Sequence, residues 1–412
     1  MKRRLLVLGF VLGLASPCLA SDQVIMSSTS TALSATATQY LAVMGMGSAA
    51  PATAEGDRKE LTASGGTLKN LRMEVATAPG AGTSRAFTLR KNGANTAVTC
   101  TISGTATSCT DTANSVAVVA ADDVSVSSVP TSSPLTSVAS WTLVFTSTTT
   151  AESLLMGGLG QGLDPATRWG PAVGLSKQNG NGAVRSLVSV SGTVKNLYVE
   201  QDEAPGDGKT ATYTVNKNGT DSAITCQITG GTAITCSDTA NSFTVVAGDW
   251  IAVKAAGVTA INGIPFWGLT FLADTAGEFV ITASGTTNLD TASTVYRNVA
   301  AGDALQSTTE SSADQLSQSM TIKRMDILLS GASGAGKSYQ FTLMQDAVAT
   351  GLDCTATNAT TCTVSTNITI ADDDLLDLRV IPSGTPTART ASVGFLGSIS
   401  EVGAARRVFL VD

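Results

Sequence analysis

The chain has 412 residues and no histidine, with 25 Lys and Arg against 32 Asp and Glu and a formal net charge of −7 at neutral pH. That balance argues against a nucleic-acid partner, whose binding needs clustered cations to displace counterions, and the missing imidazole removes the commonest general base and metal ligand. Only 14% of residues are charged and 5% aromatic, yet 43% are hydrophobic and alternate with a β period, which indicates folded domains of small side chains and not a disordered linker.

Residues 1–20 read as a secretory signal peptide: Lys2, Arg3 and Arg4, an apolar run from Leu5 to Ala15, then Cys18-Leu19-Ala20 as a small-x-small cleavage site, so that the mature chain starts at Ser21. Cleavage before Cys18, which would give a lipid anchor, is opposed by Pro17. Of the 25 basic residues three lie in this segment, leaving 22 against 32 acidic and a mature net charge of −10. No later stretch approaches the roughly 18 apolar residues of a membrane span. The expected product is extracellular or at the cell surface, with two to four domains by length.

Self-comparison finds three copies of one module. The segment 66–93, GTLKNLRMEVATAPGAGTSRAFTLRKNG, aligns without a gap on 192–219, and 320–347 is a more diverged third copy. The modules are bounded at 21–150, 151–277 and 278–412. The shared alternation predicts an inward face of Leu71, Met73 and Val75, of Leu197, Val199 and Gln201, and of Met325, Ile327 and Leu329, followed by Phe87 and Leu89, Tyr213 and Val215, and Phe341 and Leu343. Thr88, Thr214 and Thr342 are expected outward. Trp141 aligns with Trp267 and, at the second offset, with Phe395, all three as core.

In the third copy GASGAGKS (331–338) matches the phosphate-loop template G-x-x-x-x-G-K-[ST]. The residues after it, YQFTLMQD, form a period-two strand where the template needs a helix. Gly334 and Gly336 align with Gly206 and Gly208 and with Gly80 and Gly82, so the glycines are expected to shape a strand–turn–strand link.

Apart from Cys18, each module owns one close cysteine pair: Cys100 and Cys109, Cys226 and Cys236, Cys354 and Cys362. Zinc would want two pairs together with shorter gaps; in an exported protein a disulfide pinning a hairpin in each module is the direct reading. After the cysteines comes an acidic turn between two strands, where Asp123, Asp249 and Asp374 are weak Ca²⁺ candidates beside the simpler reading of hairpin turns. No cofactor is expected.

About eight strands per module, with turn signals every 8–12 residues and no convincing helix, predict an all-β chain of three tandem β-sandwich, jelly-roll-like domains. The run SGTVKNLYV…APGDGKT…YTVNKNG…ITC…SDTANSFTVVAGDW resembles a loosely defined module found in tandem in secreted bacterial surface proteins and phage virion proteins. The resemblance implies a jelly-roll-like structural or binding domain and brings no catalytic residues. The third copy departs from it, with Gln345-Asp346 where Asn92-Gly93 and Asn218-Gly219 stand.

A shorter repeat marks the module boundaries: DQVIMSS (22–28), ESLLMGG (152–158), EFVITAS (278–284) and RRVFLVD (406–412). Four such strands serve three bodies. The terminal copies, carrying Val24, Ile25 and Met26 or Val408, Phe409, Leu410 and Val411, are therefore candidates for insertion into a neighbouring molecule. The expected function is a non-enzymatic structural subunit of a filament, sheath or surface layer, a homopolymer joined head to tail. An adhesin or lectin-like array is the alternative, with Tyr40, Trp169 and Tyr296 at matched places as glycan contacts; a phage virion structural protein is another. An enzyme using paired carboxylates ranks third, since no pair stands out.

Overall fold

A computed structural model describes residues 21–257 and 263–399; the signal segment and 406–412 lie outside them. Among the described residues the chain is all-β, with three single-turn 3₁₀ helices, Glu55–Asp57, Asn181–Ala183 and Glu310–Ser312, and no α-helix. The strands form six sheets, two drawn from each sequence repeat. In the first repeat one sheet runs Asp22–Ser28, Ala139–Ser147, Gly66–Val75, Ser108–Val118. The other runs Gln39–Leu41, Asp123–Thr131, Gly80–Lys91, Ala94–Gly104, and the short strand Glu60–Leu61 also pairs with Asp123–Thr131. The second and third repeats reuse this order. Two pairings among the described residues are parallel, that of Gly174–Leu175 with Glu152–Gly158 and the single bridge of Ala283 with Ala301 at the matching place in repeat 3.

Alternation along these strands does what a period of two requires: one set of side chains from each sheet turns toward the other sheet. The residues expected inward, from Leu71 to Leu343, are all no more than 1% exposed, Gln201 included. Thr88 is half-buried on the outer side, whereas Thr214 and Thr342 are buried there too. GASGAGKS lies between Met320–Leu329 and Ser338–Gln345, both strands. Gly334 and Gly336 have φ of 104° and 69°, and the Lys337 N–H donates to the Gly334 carbonyl at 3.1 Å, so the template residues close a turn.

Trp141, Trp267 and Phe395 are all fully buried, but their alignment shifts. Met73 faces Trp141 and Val199 faces Trp267 across the sheet, while Ile327, their counterpart, faces Val393. Val393 is thus the third member of that row. The cause is a cysteine loop two residues shorter in repeat 3, with Cys354 and Cys362 separated by 8 positions against 10 for Cys226 and Cys236.

All three cysteine pairs are bonded, Cys100–Cys109, Cys226–Cys236 and Cys354–Cys362. The hairpin expectation needs one change. Cys100 lies on Ala94–Gly104 and Cys109 on Ser108–Val118, strands at the edges of opposite sheets. Each bond therefore ties one sheet to the other at the corner where the chain crosses between them.

Asp111 and Asp238 hold a kink in the strands after the cysteines. Asp111 accepts from the N–H groups of Thr99, Ala113 and Asn114 and from the Asn114 amide; Asp238 accepts from the N–H groups of Thr225, Ala240 and Asn241 and from the Asn241 amide. Repeat 3 has no such Asp, and the corresponding strand is broken into Thr361–Val364 and Ile368–Ile370.

Candidate assembly interface

Asp22–Ser28, Glu152–Gly158 and Glu278–Ala283 each open their own repeat. They pair antiparallel with Ala139–Ser147, Pro265–Ala273 and Ala391–Ser398 respectively. The first strand is no loose end, as an exchange role for 22–28 would require: Val24, Ile25 and Met26 are at most 2% exposed. Ile25 packs into the core shared by repeats 1 and 2, and Val24 and Met26 into that of repeat 3. The Gln23 side-chain amide copies a strand pairing, donating to the Leu154 carbonyl at 2.9 Å and accepting from the Leu154 N–H at 2.8 Å. The opening strands thus converge on a common axis.

Beside the axis three chain segments meet through glycine. The Gly302 N–H donates to the Gly45 carbonyl at 2.8 Å, and a Cβ on Gly174, whose φ is 80°, would lie 2.1 Å from the Gly45 oxygen. Only a residue without a side chain fits there.

Each repeat reaches the next through a two-residue strand. Glu60–Leu61 packs on strands of repeat 2, Ser186–Leu187 on strands of repeat 3, and Gln315–Leu316 on Ala139–Ser147 and Asp22–Ser28 of repeat 1. The contacts form a closed circuit, 1 on 2, 2 on 3 and 3 on 1, each heterologous and all alike. The first residue of each short strand does the same work. Glu60 Oε2 accepts from the Met44 N–H, Ser186 Oγ from Ala172 and Val173, and Gln315 Oε1 from Val299 and Ala300. Glu60 is fully buried with Oε1 unpartnered, and burial pushes its carboxyl well above the usual carboxylate range.

The three seams differ in chemistry. In the first two a glycine lets backbones touch: a Cβ on Gly268 would lie 2.3 Å from the Leu61 oxygen, and one on Gly394 2.5 Å from that of Leu187. Cross-strand register puts Thr142 at the same place in the third seam. There the contact is made by polar side chains. Gln318 donates to the Thr142 hydroxyl and, at 2.9 Å, to the Asn70 carbonyl; Ser140 Oγ accepts from the Leu316 N–H; and Arg72 pairs with Asp372 at 2.6 Å and Asp373 at 2.7 Å.

A second difference sits behind this seam. In repeat 1 the 3₁₀-turn residue Glu55 is held by Arg90 at 2.7 and 2.9 Å and by Ser125 at 2.8 Å. Arg90 and Ser125 are a cross-strand pair; the matching pairs are Asn216 and Ala252, then Met344 and Asp377. Repeat 3 keeps the turn acid, Glu310, loses the cation and gains a buried carboxylate. Neither oxygen of Asp377 has a hydrogen-bond donor. Burial, then the charges of Glu310 and Asp314, raise Asp377 to about 8; burial and Glu310 raise Asp314 to about 6. Asp314 opens onto a cleft of about 230 Å³ shared with Glu74 and Ser140 of repeat 1. Sequence reading missed Asp377, although the repeat alignment sets it over Ser125 and Ala252.

The remaining sequence candidates separate. Tyr40, Trp169 and Tyr296 are half-buried at matched positions, opposite Ser127, Lys254 and Arg379 on one side and Ala52, Gln178 and Ser307 on the other. Arg90 lies 5.5 Å from the Tyr40 ring and Lys254 5.9 Å from that of Trp169. Asp249 and Asp374 each cap their own turn, accepting from the N–H of Val246 and of Ala371; the residue doing so in repeat 1 is Asp122, for Val119, and not Asp123. Among the described residues no group of three or more acidic, Cys or His side chains is arranged to hold a metal ion, the Asp377 group included. No helix among them is long and apolar enough to cross a membrane, and three disulfides fit an extracellular setting. No family model and no curated protein matches the chain.

Proposed function

We propose that the chain is a non-enzymatic structural protein of the cell exterior, a subunit of a filament, sheath or surface layer. On this reading it comprises three jelly-roll-like β-sandwich domains, and 406–412 is the strand it donates to a neighbour. The supporting observation is the use of the boundary strands. Three of the four copies open the three repeats and are paired along their length at home. The fourth, with Val408, Phe409, Leu410 and Val411, lies outside the described residues, and the place after repeat 3 in the circuit is already taken by Asp22–Ser28, so on this reading it pairs elsewhere. A donated strand gains a hydrogen-bond ladder and buries alternate apolar side chains. Deleting 400–412 is expected to abolish polymers seen by electron microscopy while leaving the three disulfides intact. Unchanged fibres after that deletion, or an intact protein that stays monomeric when concentrated, would sink the reading. Deleting 22–28 removes the axis and is expected to unfold repeat 1.

The adhesin alternative draws on one observation, the aromatic beside a cation at Tyr40 and Trp169, with Tyr296 across from Arg379. A positive glycan array abolished by Trp169→Ala would move it ahead.

A further inference from the structure

We propose that repeat 3 is an exchangeable body: two copies of this chain trade their third repeats, each closing the circuit of the other, with 274–277 as the hinge.

Four observations lead there. The buried core divides unevenly, because the apolar residues of repeats 1 and 2 form one continuous cluster, while repeat 3 has its own, the two trading only Val24 and Met26 in one direction and Val280 in the other across the axis. The contact of repeat 3 on repeat 1 has no peptide link, whereas the other two seams are bridged by short linkers, 148–151 and 274–277. A partner repeat of identical sequence therefore fits that contact as well as the chain's own, and once both seams of repeat 3 have opened, exchanging an identical element costs little free energy. The unlinked seam is held by polar side chains, Gln318, Ser140, Thr142 and the Arg72 ion pairs, as separable interfaces are; the seam of repeats 1 and 2 has polar links as well, Lys59 to Glu200 and Ser64 to Glu152, but adds the backbone contact at Gly268 and the peptide link. Exchange must move the whole repeat, since a second copy of repeat 1 cannot enter the circuit while the first remains.

The carboxylates behind the seam weaken it. Asp377 lies under the 3₁₀ turn Glu310–Ser312, which leads directly into Gln315–Leu316, the seam strand. The charged groups around it are Glu310 and Asp314 from that segment, Arg379 on its own strand, Asp346 from the facing hairpin, and Asp373, Glu74 and Arg72 toward repeat 1. Acids outnumber bases. Asp314 and Asp377 are raised by burial and by acids of their own repeat; the acid raised across the seam is Glu74 of repeat 1, by burial and by the charges of Asp314, Asp373 and Asp346, so closure is strongest below the ordinary carboxylate range and weakens as pH rises above it.

The test uses charge reversal across the seam. Neither the Arg72→Asp chain nor the Asp372→Arg/Asp373→Arg chain can make the ion pair alone, but after exchange both circuits of a mixed dimer contain opposite charges. Mixing the two at pH 8.5 and returning to pH 7 should give a 1:1 dimer by native mass spectrometry, absent from either variant alone. Wild-type protein prepared with light and heavy nitrogen should likewise yield mixed-mass dimers, which keeps the test open if the variants fold poorly. Glu74→Gln should slow this exchange roughly tenfold at pH 8.5, the equivalent of one pKa unit of repulsion. No mixed dimers from wild-type protein at any pH between 5 and 9 overturns the proposal. So does exchange that disappears when 400–412 is deleted, because that segment would then be the element traded; survival of exchange in that truncation supports the proposal whether or not polymers form.

Discussion

At the residue scale, one position shows three solutions to a single demand. Two backbone N–H groups must be satisfied inside the circuit, and Glu60, Ser186 and Gln315 each supply an oxygen. Gln315 is the complete answer, because its amide also donates to the Ala300 carbonyl and the Ser28 hydroxyl. Glu60 matches it only when protonated. Since its folded pKa is raised, its contribution is complete below the ordinary carboxylate value and declines as pH climbs toward the folded value. Glu60→Gln should therefore leave thermal stability unchanged near pH 4 and raise it at pH 8, measured by scanning calorimetry. Asp238 shows the reverse. Burial alone would lift its pKa, but the hydrogen bonds from Asn241, Thr225 and Ala240 outweigh burial and hold it low. Asp238→Ala strands those donors and should cost about 1–3 kcal/mol by urea titration at neutral pH, less in acid as the carboxylate is protonated.

At the scale of elements, the disulfides and the axis glycines carry the predictions. Cys226→Ser with Cys236→Ser opens a corner between two sheets and should cost about 2–3 kcal/mol by chain-entropy reasoning. Gly174→Ala places a methyl where the Gly45 oxygen already lies and should lower the melting temperature more than Gly208→Ala, where nothing approaches within 4 Å; calorimetry of the two variants decides. Strands such as Gly192–Gln201 were legible because alternation and burial obey the same period. The cysteine pairing was legible from its spacing. The linking of opposite sheets was not, since two consecutive strands look the same in sequence whether they share a sheet or turn a corner. The slip from Phe395 to Val393 arose from two residues lost between the cysteines, downstream of the segment that set the offset. Asp123 stands in for Asp122 only if the offset of 126 is carried past the cysteines; the loop is one residue longer in repeat 2, and overlaying DTANS on DTANS sets Asp122, the acceptor for Val119, over Asp249.

At the scale of the molecule, the closed circuit had no sequence signature: strands of two residues, Glu60–Leu61 and its counterparts, are too short to show a period. Its energetic consequence is testable. Because repeats 1 and 2 share one buried cluster, variants retaining only Trp141 or only Trp267, with the other tryptophans changed to Phe, should report the same unfolding midpoint in urea. Two separated midpoints would mean that the repeats are thermodynamically independent. The circuit also fixes an order of events. Ser28 is bonded to Gln315, 287 positions later, and Val24 and Met26 complete their packing against repeat 3. A strand made long before repeat 3 is thus among the last to be enclosed, and while the intervening chain is being made its apolar side and backbone edge are open to any strand of suitable pattern. A long nascent lifetime, and not the finished structure, is where this protein is most exposed to mispairing.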